Sequence, residues 1–224
     1  MQELKENSEF IKYLKNRLKA QLPGKDAHRI MMPSIKKEDY RTLVASENAV
    51  KSAVMVLLYP DNGDLHILLT LRSRHLPKHS GQISFAGGRC DPNETAVQAA
   101  LRETHEEVNI TPDKINVIGE MSPLFVPPSN AVIYPVVGCL DGRPEMKINE
   151  DEVEKAFFRP LKSLANSSNI RREKWELNGR PVDVPFWDVG IDTKLWGATA
   201  MILMELLILY DEFWNEKNLK IIRK

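Results

Sequence analysis

Cysteine is scarce in this chain: Cys90 and Cys139 are the only two in 224 residues. So few exclude a disulfide framework and suit a reducing compartment. A membrane helix needs about 20 apolar residues. The run that invites that reading, ATAMILMELLILY from Ala198 to Tyr210, is too short and has Glu205 within it. The opening MQELKENSEF lacks the apolar core of a secretory signal. Net charge is missing too, because 31 acidic residues balance 31 basic ones. No global field marks the chain for nucleic acid or a membrane surface, so an anion must be met by local charge. Repeats and low-complexity linkers are absent. The expectation is a soluble, cytoplasmic globular protein of one domain with a modest extension.

What is present reads as mixed α/β. Residues 3–22 form an amphipathic pattern with Phe10, Ile11, Leu14 and Leu18 on one side, ended by Pro23 and Gly24. The segment around MMPSIKKEDY has no clear period and reads as a wrapping connection. AVMVLLY and LHILLTL are too brief for helices, and Asn62-Gly63 between them predicts a hairpin. A second hairpin is expected at Asn178-Gly179 within WELNGRPVDVPFW. QISF, INVIGEM and AVIYPVVGCL also read as strands. A long helix is expected over residues 196–215, apolar nearly all round, which requires burial in the core or against a second subunit. The expected division is an N-terminal helical extension over 1–45 and the main domain over 46–224.

The informative stretch is GGRCDPNETAVQAALRETHEEVNI, Gly87 to Ile110. Asn93 or Thr95 can cap its helix. Val97, Leu101, Thr104 and Val108 predict one inward face, with Glu103, Glu106 and Glu107 on roughly the opposite side. Like charges at that spacing repel by about 0.2–0.5 kcal/mol per pair. A solvated acidic face would tolerate them. Three carboxylates beside Gly87 and Gly88, where a backbone approaches a ligand closely, also suit a hard divalent cation such as Mg²⁺ or Mn²⁺. Such a cation takes its remaining ligands from substrate phosphates, which points to phosphate chemistry.

The spacing of Gly88, Glu94, Arg102, Glu103, Glu106 and Glu107 resembles the Nudix box, G-x5-E-x7-R-E-U-x-E-E-x-G-U, over residues 88–110. Thr104 replaces a bulky aliphatic residue and Asn109 the last glycine; Asn is the next best residue for a left-handed helix end. The resemblance implies an α/β/α sandwich around a mixed sheet and hydrolysis of a nucleoside diphosphate linked to another moiety. It implies Glu103, Glu106, Glu107 and the Gly87 carbonyl as metal ligands. Arg102 and Glu94 would hold loop and helix together, and Glu103 would serve as base or orient the water.

Upstream, LLTLRSRHLPKHSGQISFAGG resembles the additional motif of the coenzyme A diphosphatase branch, with Pro77 in place of an arginine and Ala86 in place of a proline. Arg72, Arg74, Lys78 and Gly88 are the implied substrate-binding residues, with Arg74 or Lys78 standing in for the missing arginine. NEDEVEKAFFRPL and WGATA resemble later segments of the branch and offer Glu152 as a further metal carboxylate, although acids also suit the start of a helical turn. The implied reaction splits coenzyme A or a derivative into a 4′-phosphopantetheine species and adenosine 3′,5′-bisphosphate. Alternatives are ADP-ribose, a dinucleotide or a nucleoside triphosphate as substrate, or a nucleotide-binding regulator without catalysis. The partner is a small molecule, neither nucleic acid nor membrane, and the resemblance admits a homodimer.

Overall fold

The computed structural model describes residues 2–35, 38–39, 45–61, 63–77, 79–177 and 179–218. Helices α1 (Gln2–Arg17) and α2 (Lys25–Ile30) are followed by short strands β1 (Ser34–Ile35) and β2 (Glu38–Asp39). Then come β3 (Val50–Asp61), β4 (Asp64–Arg72), β5 (Ile83–Ser84), β6 (Ala86–Arg89) and α3 (Ala96–Val108). Strands β7 (Asn116–Glu120), β8 (Leu124–Val126), β9 (Ala131–Cys139) and β10 (Val153–Pro160) lead to α4 (Leu161–Ala165). The chain continues through β11 (Ile170–Leu177), β12 (Arg180–Trp187), β13 (Leu195–Trp196) and α5 (Gly197–Asn218).

The central sheet runs β10-β4-β3-β9-β7, with β5 on β4, β6 on β3 and β8 on β9. It is mixed, because β3 and β9 are parallel while β3 and β4 form an antiparallel hairpin. Both expected hairpins form, closing at Asp61↔Asp64 and Leu177↔Arg180. Asn62 and Asn178 themselves lie outside the described residues; Gly63 and Gly179 adopt φ of 89° and 71°. A smaller sheet, β11-β12-β1-β2 with β13 on β12, incorporates the segment expected to be an irregular connection.

Alternation along β3 builds two cores. Ala53, Met55, Leu57 and Tyr59 face the side covered by α3, with Ala99, Ala100 and Val108. Val56 and Leu58 join the opposite core, where α1 and α5 pack through Phe10, Leu14, Leu203 and Leu206. This is the α/β/α layering that the box resemblance implied. Helix α1 ends at Arg17, short of the expected Leu22, although a turn continues with Leu18 N–H donating to Leu14 O at 2.9 Å. Helix α5 is buried almost throughout between Ala200 and Leu209 by its own chain, so the core accounts for its apolar pattern. No helix among the described residues is long and apolar enough to cross a membrane.

Candidate functional site

Helix α3 starts with a reciprocal cap. Gln98 N–H donates to Thr95 Oγ1 at 3.2 Å, and Thr95 N–H donates to Gln98 Oε1 at 2.9 Å. It ends at Asn109 in the left-handed conformation, φ 59° and ψ 32°, its N–H donating to His105 O. Its buried side differs from the expected one. Thr104 and Val108 are buried, but so are Ala99, Ala100 and Glu107, while Val97 and Leu101 are half-buried. Alanines at 99 and 100 let the helix lie close on the sheet, and this shelters carboxylates that the periodicity placed on the far side.

Arg102 organises the N-terminal half of the site. Its Nε and Nη2 donate to the two Glu94 oxygens, each at 2.9 Å, and Nη2 also donates to Arg89 O at 3.0 Å. Its Nη1 reaches Glu103 Oε1 at 2.9 Å and Glu106 Oε2 at 3.0 Å. Arg102 and the Asp91 N–H hold the Glu94 carboxyl below its ordinary range. The loop before the helix is thereby fastened to its middle by a two-pronged ion pair.

Three carboxylates converge. Glu103, Glu107 and Glu152 each offer an oxygen within 4.8 Å of the others. Glu107 is 1% exposed, and neither of its oxygens accepts a well-formed hydrogen bond. Burial pushes its pKa up to about 8, only partly offset by Arg72 and the nearby Gly87 N–H, and Glu103 and Glu152 add to the rise. Burial likewise raises Glu103 despite its bond to Arg102. Gly88 permits this arrangement: a Cβ there would lie 2.4 Å from Glu103 Oε1. At Gly87 a Cβ would lie 2.3 Å from Ala53 O, so only glycine lets β6 lie against β3 there.

Glu152 arrives by backbone bonds that no local pattern announces. Asn149 N–H donates to Glu107 O at 2.9 Å, Glu152 N–H to Asn149 O at 3.0 Å, and Ser73 N–H to Glu152 O at 2.8 Å. The acids at 150–152 form the expected single turn, with Val153 N–H on Asn149 O at 2.8 Å, which leads into β10 and does not continue as a helix. Glu106 is not gathered with the three. Its side chain is 49% exposed and held by Arg102 at the rim.

A cavity of about 580 Å³ opens on the other side of β6. Val126, Ile133, Trp196 and Ile202 form apolar walls; Arg72, Gly87 and Gly88 border it on the side of the carboxylates. Arg89 adds positive charge, and no acidic residue lines it among the described residues. Arg72 sits between the two compartments, its Nη1 3.5 Å from Glu107 Oε1. The structure does not bring Arg74 there: its side chain is 70% exposed and points to Glu154 at 3.3 Å. Lys78 lies outside the described residues. Trp196 and Arg89 were missed as candidates; the WGATA segment was a signal for the first, without a role attached to it.

The NUDIX domain model matches residues 50–178. The mouse peroxisomal coenzyme A diphosphatase NUDT7 is 31% identical over 183 residues, spanning 78% of this chain and 77% of that one. Nudix hydrolase 3 of Caenorhabditis elegans is 30% identical over 207 residues, spanning 83% and 85%. An uncharacterised Nudix hydrolase, NudL, of Escherichia coli is 34% identical over 186 residues, spanning 80% and 89%.

Proposed function

The chain belongs to the NUDIX domain family, hydrolases of pyrophosphate linkages, and from that premise we propose that it cleaves the diphosphate of coenzyme A or its derivatives. The products would be a 4′-phosphopantetheine species and adenosine 3′,5′-bisphosphate. One observation carries this reading: the carboxylate cluster around buried Glu107 adjoins, through Arg72, a largely apolar cavity that no acidic side chain lines among the described residues. A diphosphate can lie against the cluster while one arm of the substrate enters the cavity. The likeness to the mouse coenzyme A diphosphatase and the upstream motif that contains Arg72 support the choice of substrate.

The residues fit a divalent cation. Two buried Glu107 oxygens without donors, with Glu103 and Glu152 in reach, present the hard oxygen ligands that a divalent cation takes. Mg²⁺ or Mn²⁺ would be held by Glu103, Glu107 and Glu152 with the Gly87 carbonyl, and Glu106 would serve an outer ion at the rim. When bound, the cation supplies charge compensation for the diphosphate and makes water a better nucleophile. Glu103 orients the attacking water and accepts its proton. Arg102 and Glu94 keep Glu103 in place, while Arg72 and Gly88 meet the substrate at the cavity mouth. Water attacks one phosphorus, the bridging P–O bond breaks, and the other phosphate leaves.

A second reading, a different nucleoside diphosphate derivative as substrate, is favoured by the placement of Arg74 on Glu154 and by Pro77, which leave the basic loop short of a cation for a 3′-phosphate. The test is incubation with Mg²⁺ or Mn²⁺ and coenzyme A, ADP-ribose, diadenosine polyphosphates, NADH and nucleoside triphosphates, with products resolved by chromatography. Preferential release of adenosine 3′,5′-bisphosphate is expected. Turnover of another member alone would overturn the coenzyme A assignment, and silence across the panel with metal bound would favour a nucleotide-binding regulator.

A further inference from the structure

Arg72 and Arg102 both face glutamates of α3, but they are seated very differently. Arg102 spends its donors on five acceptor atoms of four residues at 2.9–3.0 Å. Arg72 meets Glu107 through one contact of 3.5 Å, beyond the usual 2.7–2.9 Å of a charge-assisted hydrogen bond. Its Nε is buried and donates to nothing, and both Glu107 oxygens are equally unsatisfied. The backbone around it is fixed, with Arg72 N–H on Gln82 O at 3.0 Å and Gly81 N–H on Arg72 O at 3.1 Å. Only the side chain is free to choose, and it borders both the carboxylates and the cavity.

We propose that Arg72 is an internal counter-cation, holding Glu107 until a divalent ion displaces it and thereby freeing its guanidinium for the substrate's diphosphate. This rests on the metal-dependent diphosphatase reading above. A guanidinium and a divalent ion cannot share the buried Glu107 carboxylate without strong repulsion in so sheltered a place. The pair is poorly made, so ion entry forfeits little. A guanidinium released at the cavity mouth presents the fork geometry that binds phosphate oxygens in pairs. Ion and diphosphate therefore bind in order, the ion first, and each favours the other through one side chain.

The test is Mn²⁺ affinity, measured by calorimetry without substrate, in wild type, Arg72→Gln, Arg72→Met and Arg72→Lys. The neutral variants should bind Mn²⁺ more tightly by on the order of tenfold, the effect of removing one nearby cation from a sheltered site. Loss of Arg72 also favours a proton on Glu107, but a divalent ion carries twice the charge and gains about twice as much, so tighter binding is the net sign. The lysine variant keeps the competing charge and should stay near wild type. With Mn²⁺ saturating, ADP as the diphosphate probe should bind the neutral variants at least tenfold more weakly. Two neutral variants guard against one misfolding, which circular dichroism reads directly.

Unchanged or weaker Mn²⁺ binding in the folded neutral variants would overturn the proposal, since a merely structural Arg72 would loosen the site when removed. None of these affinities depends on which diphosphate is the substrate, so rejection of coenzyme A in the panel leaves this test intact. Absence of Mn²⁺ binding in wild type would remove the metal-dependent reading and this proposal together.

Discussion

Glu107 and Glu205 are both helical glutamates, 1% and 0% exposed, and their surroundings are opposite. Glu205 accepts hydrogen bonds from Gly24 N–H at 2.7 Å, Ser122 N–H at 3.1 Å and Ser122 Oγ at 2.6 Å, with His28 Nε2 3.7 Å away. Burial alone would raise its pKa, but His28, Ser122 and the Gly24 N–H outweigh it and hold the carboxyl below its ordinary range. Glu107 has no such donors and is raised to about 8. Burial is therefore not what marks a working carboxylate. The mark is burial without satisfaction, a free-energy deficit that something outside the chain must relieve. Glu205 instead ties α5 to the N-terminal end of α2 and to the turn after β7, which makes it architecture.

The contrast breaks most sharply in turnover. Glu107→Gln should lower kcat about a thousandfold or more, on the order of 4 kcal/mol of barrier, while circular dichroism stays native. Glu205→Gln should leave turnover per folded molecule within about threefold. Stability should answer in the reverse order. Glu205→Ala strands two backbone donors and His28, and should cost about 3–5 kcal/mol in denaturant unfolding. Glu107→Gln in the metal-free protein should be neutral or stabilising at alkaline pH, where it removes a carboxylate whose ionisation burial opposes.

The pH dependence sharpens the comparison further. Between the ordinary carboxyl value of 4.5 and about 8, the unfolded chain loses a proton that folded Glu107 keeps, so this group's contribution to metal-free stability falls as pH rises. Glu205 is depressed, so its contribution is full above the ordinary value and is lost as pH falls through its folded pKa. Unfolding midpoints at pH 5 and 8.5 should show Glu107→Gln removing the fall on the alkaline side, an effect of a few kcal/mol at most, with saturating Mn²⁺ flattening the same slope in wild type. An unchanged slope in Glu107→Gln would contradict the assignment. The smallest expected effect concerns the end of α3: Asn109→Gly should stabilise by about 0.5–1 kcal/mol in thermal melts, since glycine takes the left-handed cap without a Cβ.

Part of the site was legible before any coordinates. The resemblance of the spacing from Gly88 to Glu107 to the Nudix box implied the pair of Glu94 with Arg102, while capping rules, which act within a few residues, marked Thr95 and Asn109 as helix ends. The two hairpins were legible for the same reason, as Asn-Gly pairs select turns whose twist suits paired strands. The burial of Glu107 was not, because the alanine contacts that draw α3 onto the sheet involve β3 from forty residues away. Glu152 could be offered but not placed: its arrival depends on bonds from Asn149 to Glu107 and from Ser73 to Glu152. The resemblance matched Arg72 and offered Arg74 as a stand-in for the missing arginine; the structure seats Arg72 by Glu107 and leaves Arg74 exposed on Glu154 of β10.

The sequence by itself determined the chemistry on offer: three carboxylates, an arginine and two glycines at fixed local spacing, and a strand-rich middle between helices. Those follow from interactions along the chain, which periodicity and turn chemistry encode. Tertiary structure alone decided which carboxylates lose their water, which arginine faces them and where the cavity opens. Desolvation is a property of everything packed around a group, and here that packing joins β4, β6, α3 and the turn before β10.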